Sequence, residues 1–222
     1  MSRLIHSCLD LKFWEHVVPE VEAVRPARCV GCGVASRCPG QALMVVGHGV
    51  RERQLRGPRE PGAKPEELTI CQRRFRCRKC GVVMVVAPAQ VLRYRLFSST
   101  AIASSLVLYG VEFFAAARVR RLISPWRVVG ATAARSWKTL GRWIAAIQSH
   151  TLLPITRPLP DKPQAAASAA AWFLAALAPP TFRVYSLAHQ AVAGALHALM
   201  GITPWSGWVA EPTTAGEFSG SS

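Results

Sequence analysis

The sequence predicts an α+β chain: an N-terminal zinc ribbon of β-hairpins with two C-x-x-C knuckles, followed by a mostly α-helical, helix-turn-helix-like region. Three observations carry this expectation. Two cysteine pairs, Cys29-x-x-Cys32 and Cys77-x-x-Cys80, have the spacing of a closed tetrahedral metal site. Much of the chain from the first pair to just past the second alternates apolar and polar or basic side chains, as strands do. Beyond Phe97 the apolar spacing becomes helical.

The knuckles come first. Each pair is followed by glycine, Gly33 or Gly81, which frees the backbone so that both sulfurs of a pair can turn toward one ion. A lone C-x-x-C can be a redox motif, but two of them in a strongly basic chain without a thioredoxin-like pattern point to zinc. The expected cofactor is one structural Zn2+ held by Cys29, Cys32, Cys77 and Cys80. Cys38, Cys71 and His48 are the substitute ligands the sequence leaves open. Seven cysteines, an odd number with four already used, fit a secreted disulfide framework poorly, so a reducing cytoplasmic setting is expected.

Residues 1–25 read as a lead-in helix with Leu9, Phe13, Trp14 and Val17 on one face. Residues 26–97 form the ribbon: strands are expected in LMVVGHGVRERQL, TICQRRFRCRKC and VVMVV, with GPREPGAKPEE as a long exposed loop. Residues 98–150 read as the helical domain. Ser98 can cap its first helix, Gly110 breaks it, and GVEFFAAARVRRLI supplies a second helix with Arg120 and Arg121 near its end. SWKTLGRWIAAIQ then places Trp137, Leu140, Ile144 and Ile147 on one stripe and basic residues elsewhere. Residues 151–164 are proline-rich and read as a linker, 165–200 as a C-terminal helical pair, and 201–222 as a disordered tail.

Lysine and arginine number 27 against 12 acidic residues, a net charge of +15 that calls for a polyanionic partner. Duplex DNA is the expected one. Arg51, Arg53, Arg73, Arg74, Arg76, Arg78 and Lys79 on the hairpin suit phosphate, because guanidinium groups present a planar fork of donors. Arg135, Lys138, Thr139 and Arg142 mark the open face of the expected recognition helix, in a stretch from Arg118 to Arg142 without an acidic residue. The competing reading of each set is a solvated basic face. Trp126, Trp137 and Trp143 read as core residues before base-stacking platforms.

Other classes are disfavoured. Residues 98–117 are the nearest approach to a membrane span, but Glu112 and four serines interrupt them, and a buried acid there costs about 2.5–3.5 kcal/mol. No signal peptide is expected from the charged N-terminus. The only aspartates are Asp10 and Asp161, which leaves little from which to build a paired-metal carboxylate centre, and the six histidines are scattered. A non-enzymatic protein is expected.

The order CVGC, VVGHGVRER, RRFRCRKCGVVMVVAPAQVLRYR, SSLVLYGVE and SWKTLGRWIAAI resembles the bacterial zinc-ribbon and helix-turn-helix proteins associated with insertion sequences and other mobile elements. The resemblance covers residues 29–148. It implies zinc at the four knuckle cysteines, DNA contact around Arg135, Lys138, Thr139 and Arg142, and a nucleoid-associated, transposase-associated role. A transposase chain or a second copy, met through the C-terminal helices, is the expected protein partner. The rival readings are an accessory subunit whose active site lies on another chain and a ribbon module that binds RNA or protein.

Overall fold

A computed structural model describes residues 3–126 and 137–201 and has mixed α+β architecture. Four strands, β1 (Arg3–Ser7), β2 (Val45–Gly57), β3 (Glu66–Cys77) and β4 (Val83–Pro88), make one sheet in the order β1-β4-β3-β2. The three expected strand segments are β2, β3 and β4. β2 and β3 run antiparallel from Val45 opposite Cys77 to Gly57 opposite Glu66, with a bulge between Gly47 and Val50. Residues 58–65 form the loop between them, and Glu66 and Glu67, expected in that loop, belong to β3.

The N-terminal segment differs from the expected lead-in helix. Its first element is β1, which adds to the edge of β4 in parallel, with Arg3 opposite Met84 and Ser7 opposite Pro88. RLIHS alternates side chains as a half-buried strand does, and the free edge of β4 supplies the ladder partners. Only the short α1 (Leu11–His16) is helical, capped by Asp10, whose carboxylate accepts from the Lys12 amide at 2.8 Å. Leu11 and Trp14 turn inward; Phe13 and Val17 lie on the exposed side.

Two hydrophobic cores result. The first gathers Ile5, Leu11, Trp14, Leu55, Ile70, Phe75 and Met84 around the sheet and reaches Cys29 and Cys77. The second belongs to the helices α2 (Ser99–Gly110), α3 (Ala116–Ile123), α4 (Lys138–Gln148), α5 (Pro163–Ala176) and α6 (Leu187–Gly201). Ser98 caps α2 as expected, accepting from the Ala101 amide at 3.0 Å. Because α2 is apolar on every side it becomes the central helix, with α5 and α6 packed against it.

Alanine and glycine let these helices approach closely. A Cβ at Gly110 would lie 2.6 Å from the Ala167 carbonyl carbon, and one at Gly194 would overlap the Leu174 carbonyl oxygen. The C-terminal pair is thus part of the main helical core. The proline-rich segment is also packed: Leu152, Leu153 and Ile155 are buried in the same core, and Gln148 donates to the Pro160 carbonyl at 2.8 Å. Residues 202–222, read as a tail, lie outside the described residues.

α4 has the expected stripe, with Leu140, Ile144 and Ile147 buried, joined by Trp143; Lys138 and Arg142 are exposed. Phe97, Trp137 and Trp143 form an edge-to-face cluster with ring centroids 5.0–6.1 Å apart. Gly141 lies in the interior of this helix facing open space. Gly141→Ala therefore raises stability by about 0.5–1 kcal/mol, read as a higher midpoint in urea denaturation, because alanine loses less backbone entropy on folding.

The two cores are joined at His6 of β1. One ring nitrogen lies 2.9 Å from the Val91 carbonyl and the other 3.2 Å from the Leu199 carbonyl on α6. Burial pulls the His6 pKa down, against the two carbonyls, which favour the proton. No described helix is long and apolar enough to cross a membrane.

Candidate metal centre

The first knuckle lies between Arg28 and Ala35, which form an isolated antiparallel bridge. The second is the turn that joins β3 to β4. Their hydrogen bonds are equivalent: the Gly33 amide donates to the Cys29 carbonyl at 2.8 Å and the Gly81 amide to the Cys77 carbonyl at 2.9 Å. The Cys29 amide likewise donates to Val34 at 2.8 Å and the Cys77 amide to Val82 at 3.0 Å. Gly33 and Gly81 take positive φ values of 72° and 74°, the left-handed turn that glycine adopts without penalty. Gly31 serves differently. A Cβ there would lie 2.8 Å from a Val82 methyl and 3.3 Å from the Cys80 sulfur, so its lack of a side chain lets the knuckles close on each other.

The two knuckles bring Cys29, Cys32, Cys77 and Cys80 together, all four sulfurs within 4.8 Å of one another. Across the knuckles Cys29 and Cys80 are 3.6 Å apart and Cys32 and Cys77 are 3.7 Å apart. A tetrahedral site with metal–sulfur bonds of about 2.3 Å has sulfur–sulfur edges of about 3.8 Å. The two cross-knuckle edges match that value, and with every separation within 4.8 Å the four thiols could hold a single ion. Cys29 and Cys77 are buried in the sheet core, and Cys80 is exposed. Among the described residues no other His, Cys, Asp or Glu group gathers in this way. Cys38, Cys71 and His48 stay outside it.

The electrostatics favour a cation. The Val82 amide favours the Cys80 thiolate, but desolvation and the neighbouring Cys29, Cys32 and Cys77 outweigh it and push the thiol up to about 12. Sulfurs so close cannot all lose their protons without a positive ion between them. The Gly31 amide, 3.3 Å from the Cys29 sulfur, offsets part of the thiolate charge. Exposed Arg28, Arg78 and Lys79 lie on the knuckles. Nearby, Glu22 accepts hydrogen bonds from Arg25 and Arg37, which hold its carboxyl at about 2. Arg25 also lies over the Phe75 ring, 5.7 Å from its centroid, and Arg3 donates to the Val30 carbonyl at 2.8 Å.

The structure divides the arginines expected to meet DNA. Arg53 donates to the Leu92 carbonyl at 2.9 Å and to the Arg95 carbonyl, and Arg73 donates to the Pro19 carbonyl at 2.6 Å. Both hold the fold. Arg51 donates to Gln72 at 3.0 Å. Arg56 pairs with Glu67, and Arg59 with Glu66 and Glu15. Arg76, Arg78 and Lys79 are exposed, Arg74 is half-buried, and among the described residues no acidic side chain pairs with any of them. Lys138 and Arg142 lie exposed one turn apart on α4, with Thr139 half-buried beside them.

Arg135 lies outside the described residues. Fourteen residues, 124–137, separate α3 from α4, ten of them outside the described residues, where a helix-turn-helix has a turn of about three or four. His189 contacts Ser186 at 2.8 Å at the start of α6, while His197 is exposed.

The fold and the site together define a mixed α+β protein with a four-cysteine cluster fit for one metal ion. No family model, curated protein or solved structure matches the chain.

Proposed function

We propose that the chain is a zinc-stabilised, non-enzymatic DNA-binding protein. The observation that carries this reading is the exposed basic end of the β3–β4 hairpin, Arg76, Arg78 and Lys79, mounted beside a closed four-sulfur site in a chain of charge +15. Zinc suits the four thiolates because it accepts tetrahedral sulfur ligation and has no redox chemistry of its own. With all four positions filled by protein, the ion has no open site for substrate, so its role is to hold basic turns rigid. Arg74 and the α4 residues Lys138 and Arg142 extend the set of cations without acidic partners among the described residues.

The two aspartates support the non-enzymatic reading: Asp10 caps α1, and Asp161 is exposed between α4 and α5. The alternative, an accessory subunit of a transposase or recombinase whose active site lies on another chain, rests on the sequence resemblance alone.

Elemental analysis of the purified protein is expected to give one zinc per chain; iron in its place, or no metal, overturns the zinc assignment. A fluorescence titration with duplex DNA at several salt concentrations is expected to show affinity falling steeply with salt. Replacing Arg76, Arg78 and Lys79 together by glutamine lowers the slope of log K against log salt by about 0.9 for each phosphate that is no longer neutralised. Absence of binding at low salt, or binding without a salt slope, refutes the reading.

A further inference from the structure

The turn that follows β4 carries an aromatic ring in an unusual setting. Tyr94 is 72 % exposed, the most solvated of the three large aromatic side chains within the basic ribbon segment, since Phe75 is fully buried and Phe97 half-buried. Its backbone has φ 58°, a left-handed conformation that side chains other than glycine, asparagine and aspartate seldom take. The Arg95 amide donates to the Leu92 carbonyl at 3.3 Å, closing a turn with Tyr94 at the position where glycine is favoured.

The turn is supported from below. The Arg53 guanidinium donates to the carbonyls of Leu92 and Arg95, the two ends of the turn, and so fixes it to β2. The Arg56 amide, also on β2, donates to the Leu96 carbonyl at 2.8 Å. Above, the Arg93 guanidinium lies 4.6 Å from the Tyr94 ring centroid and donates to its hydroxyl at 2.9 Å. Arg93 thus restrains the ring and covers one face, and the other is open to solvent. Backbone strain and an exposed ring both cost stability, and such costs concentrate where a ligand is met. The charge around the ring selects the ligand: Arg93 and Arg95 flank it, and no acidic residue occurs from residue 68 to 111.

We propose, building on the nucleic-acid reading above, that Tyr94 is a stacking platform for an unpaired base, with Arg93 and Arg95 on the adjoining phosphates. The preferred substrate is then a nucleic acid with a single-stranded stretch, because a base inside a duplex offers no free face. Oligodeoxynucleotide and oligoribonucleotide share this chemistry, and parallel titrations with each tell them apart.

The test uses the full zinc-loaded chain and the Tyr94→Gly variant, since glycine takes this backbone conformation without strain and keeps the turn. Tyr94→Phe is the conservative control. Affinity is measured for a single-stranded oligonucleotide, its duplex, and a duplex with a single-stranded overhang. Tyr94→Gly is expected to bind the single strand and the overhang about tenfold or more weakly, with the blunt duplex changed less than about twofold. Tyr94→Phe is expected to retain single-strand affinity. A 2-aminopurine probe in the single strand is expected to change fluorescence on binding the wild-type chain and not the glycine variant. Wild-type binding that Tyr94→Gly leaves unchanged, or weakens equally for all three substrates, overturns the platform and leaves the DNA-binding reading standing. Failure of the wild-type chain to bind any of them at low salt overturns both.

Discussion

Replacing both Cys77 and Cys80 by serine is expected to abolish metal binding at the four-cysteine cluster and to unfold the knuckle end of the sheet. Serine hydroxyls are poor ligands for zinc, and the remaining Cys29 and Cys32 are too few to close a tetrahedral site. Structural zinc contributes about 10–16 kcal/mol in small domains, as much as the entire stability of an ordinary domain at about 5–15 kcal/mol. Each knuckle is also tied to the sheet, through the buried Cys29 and Cys77 and the Arg78 amide on the Met44 carbonyl, but the two approach each other closely at the four sulfurs and where Gly31 meets Val82. Hydrogen exchange is expected to show reduced protection at the Cys77 and Gly81 amides and along β4. The α2, α5 and α6 amides stay protected, because the helical core has its own buried side chains. A variant that still holds one metal per chain contradicts the assignment. Chelation of the wild-type protein is expected to give the same exchange pattern.

Gly194→Ala is the second large effect. The added methyl would overlap the Leu174 carbonyl oxygen and lie 2.7 Å from its carbon and 3.0 Å from the Ala178 amide nitrogen. These are backbone atoms of α5 and its C-terminal turn, so no side chain can rotate aside and the two helices must separate. Overpacking of a tight core costs about 1–3 kcal/mol, and a clash with fixed backbone belongs at or above the top of that range. In urea the variant's transition midpoint falls, whereas Gly141→Ala, the same substitution on an open face, raises it. Equal and small effects at the two positions would show that α5 and α6 are not packed this closely.

What could be seen in the sequence was local. Cysteine spacing within each knuckle, the glycine after it, the Ser98 cap and the Leu140, Ile144 and Ile147 stripe are all set by residues a few positions apart, and the structure places them as expected. Features that depend on distant partners were not legible. β1 is a five-residue segment whose pairing strand begins beyond residue 80, so its short alternation carried little signal. Arg53 and Arg73 looked like surface cations because nothing nearby in the chain shows that Leu92, Arg95 and Pro19 will offer them carbonyls. In residues 151–164 the prolines mask the apolar side chains between them, although Leu152, Leu153 and Ile155 belong to the core. For the candidate site, four ligands were readable. The division of the arginines into fold-holding and outward-facing sets was not.

The parallel pairing of β1 with β4 spans a long stretch of chain. β1 precedes its ladder partners, Met84 to Pro88, by about eighty residues, and both knuckles lie between the two strands. β1 thus ties together parts of the chain that lie far apart in sequence: its ladder partners follow the second knuckle, and its His6 reaches the carbonyl of Leu199 on α6.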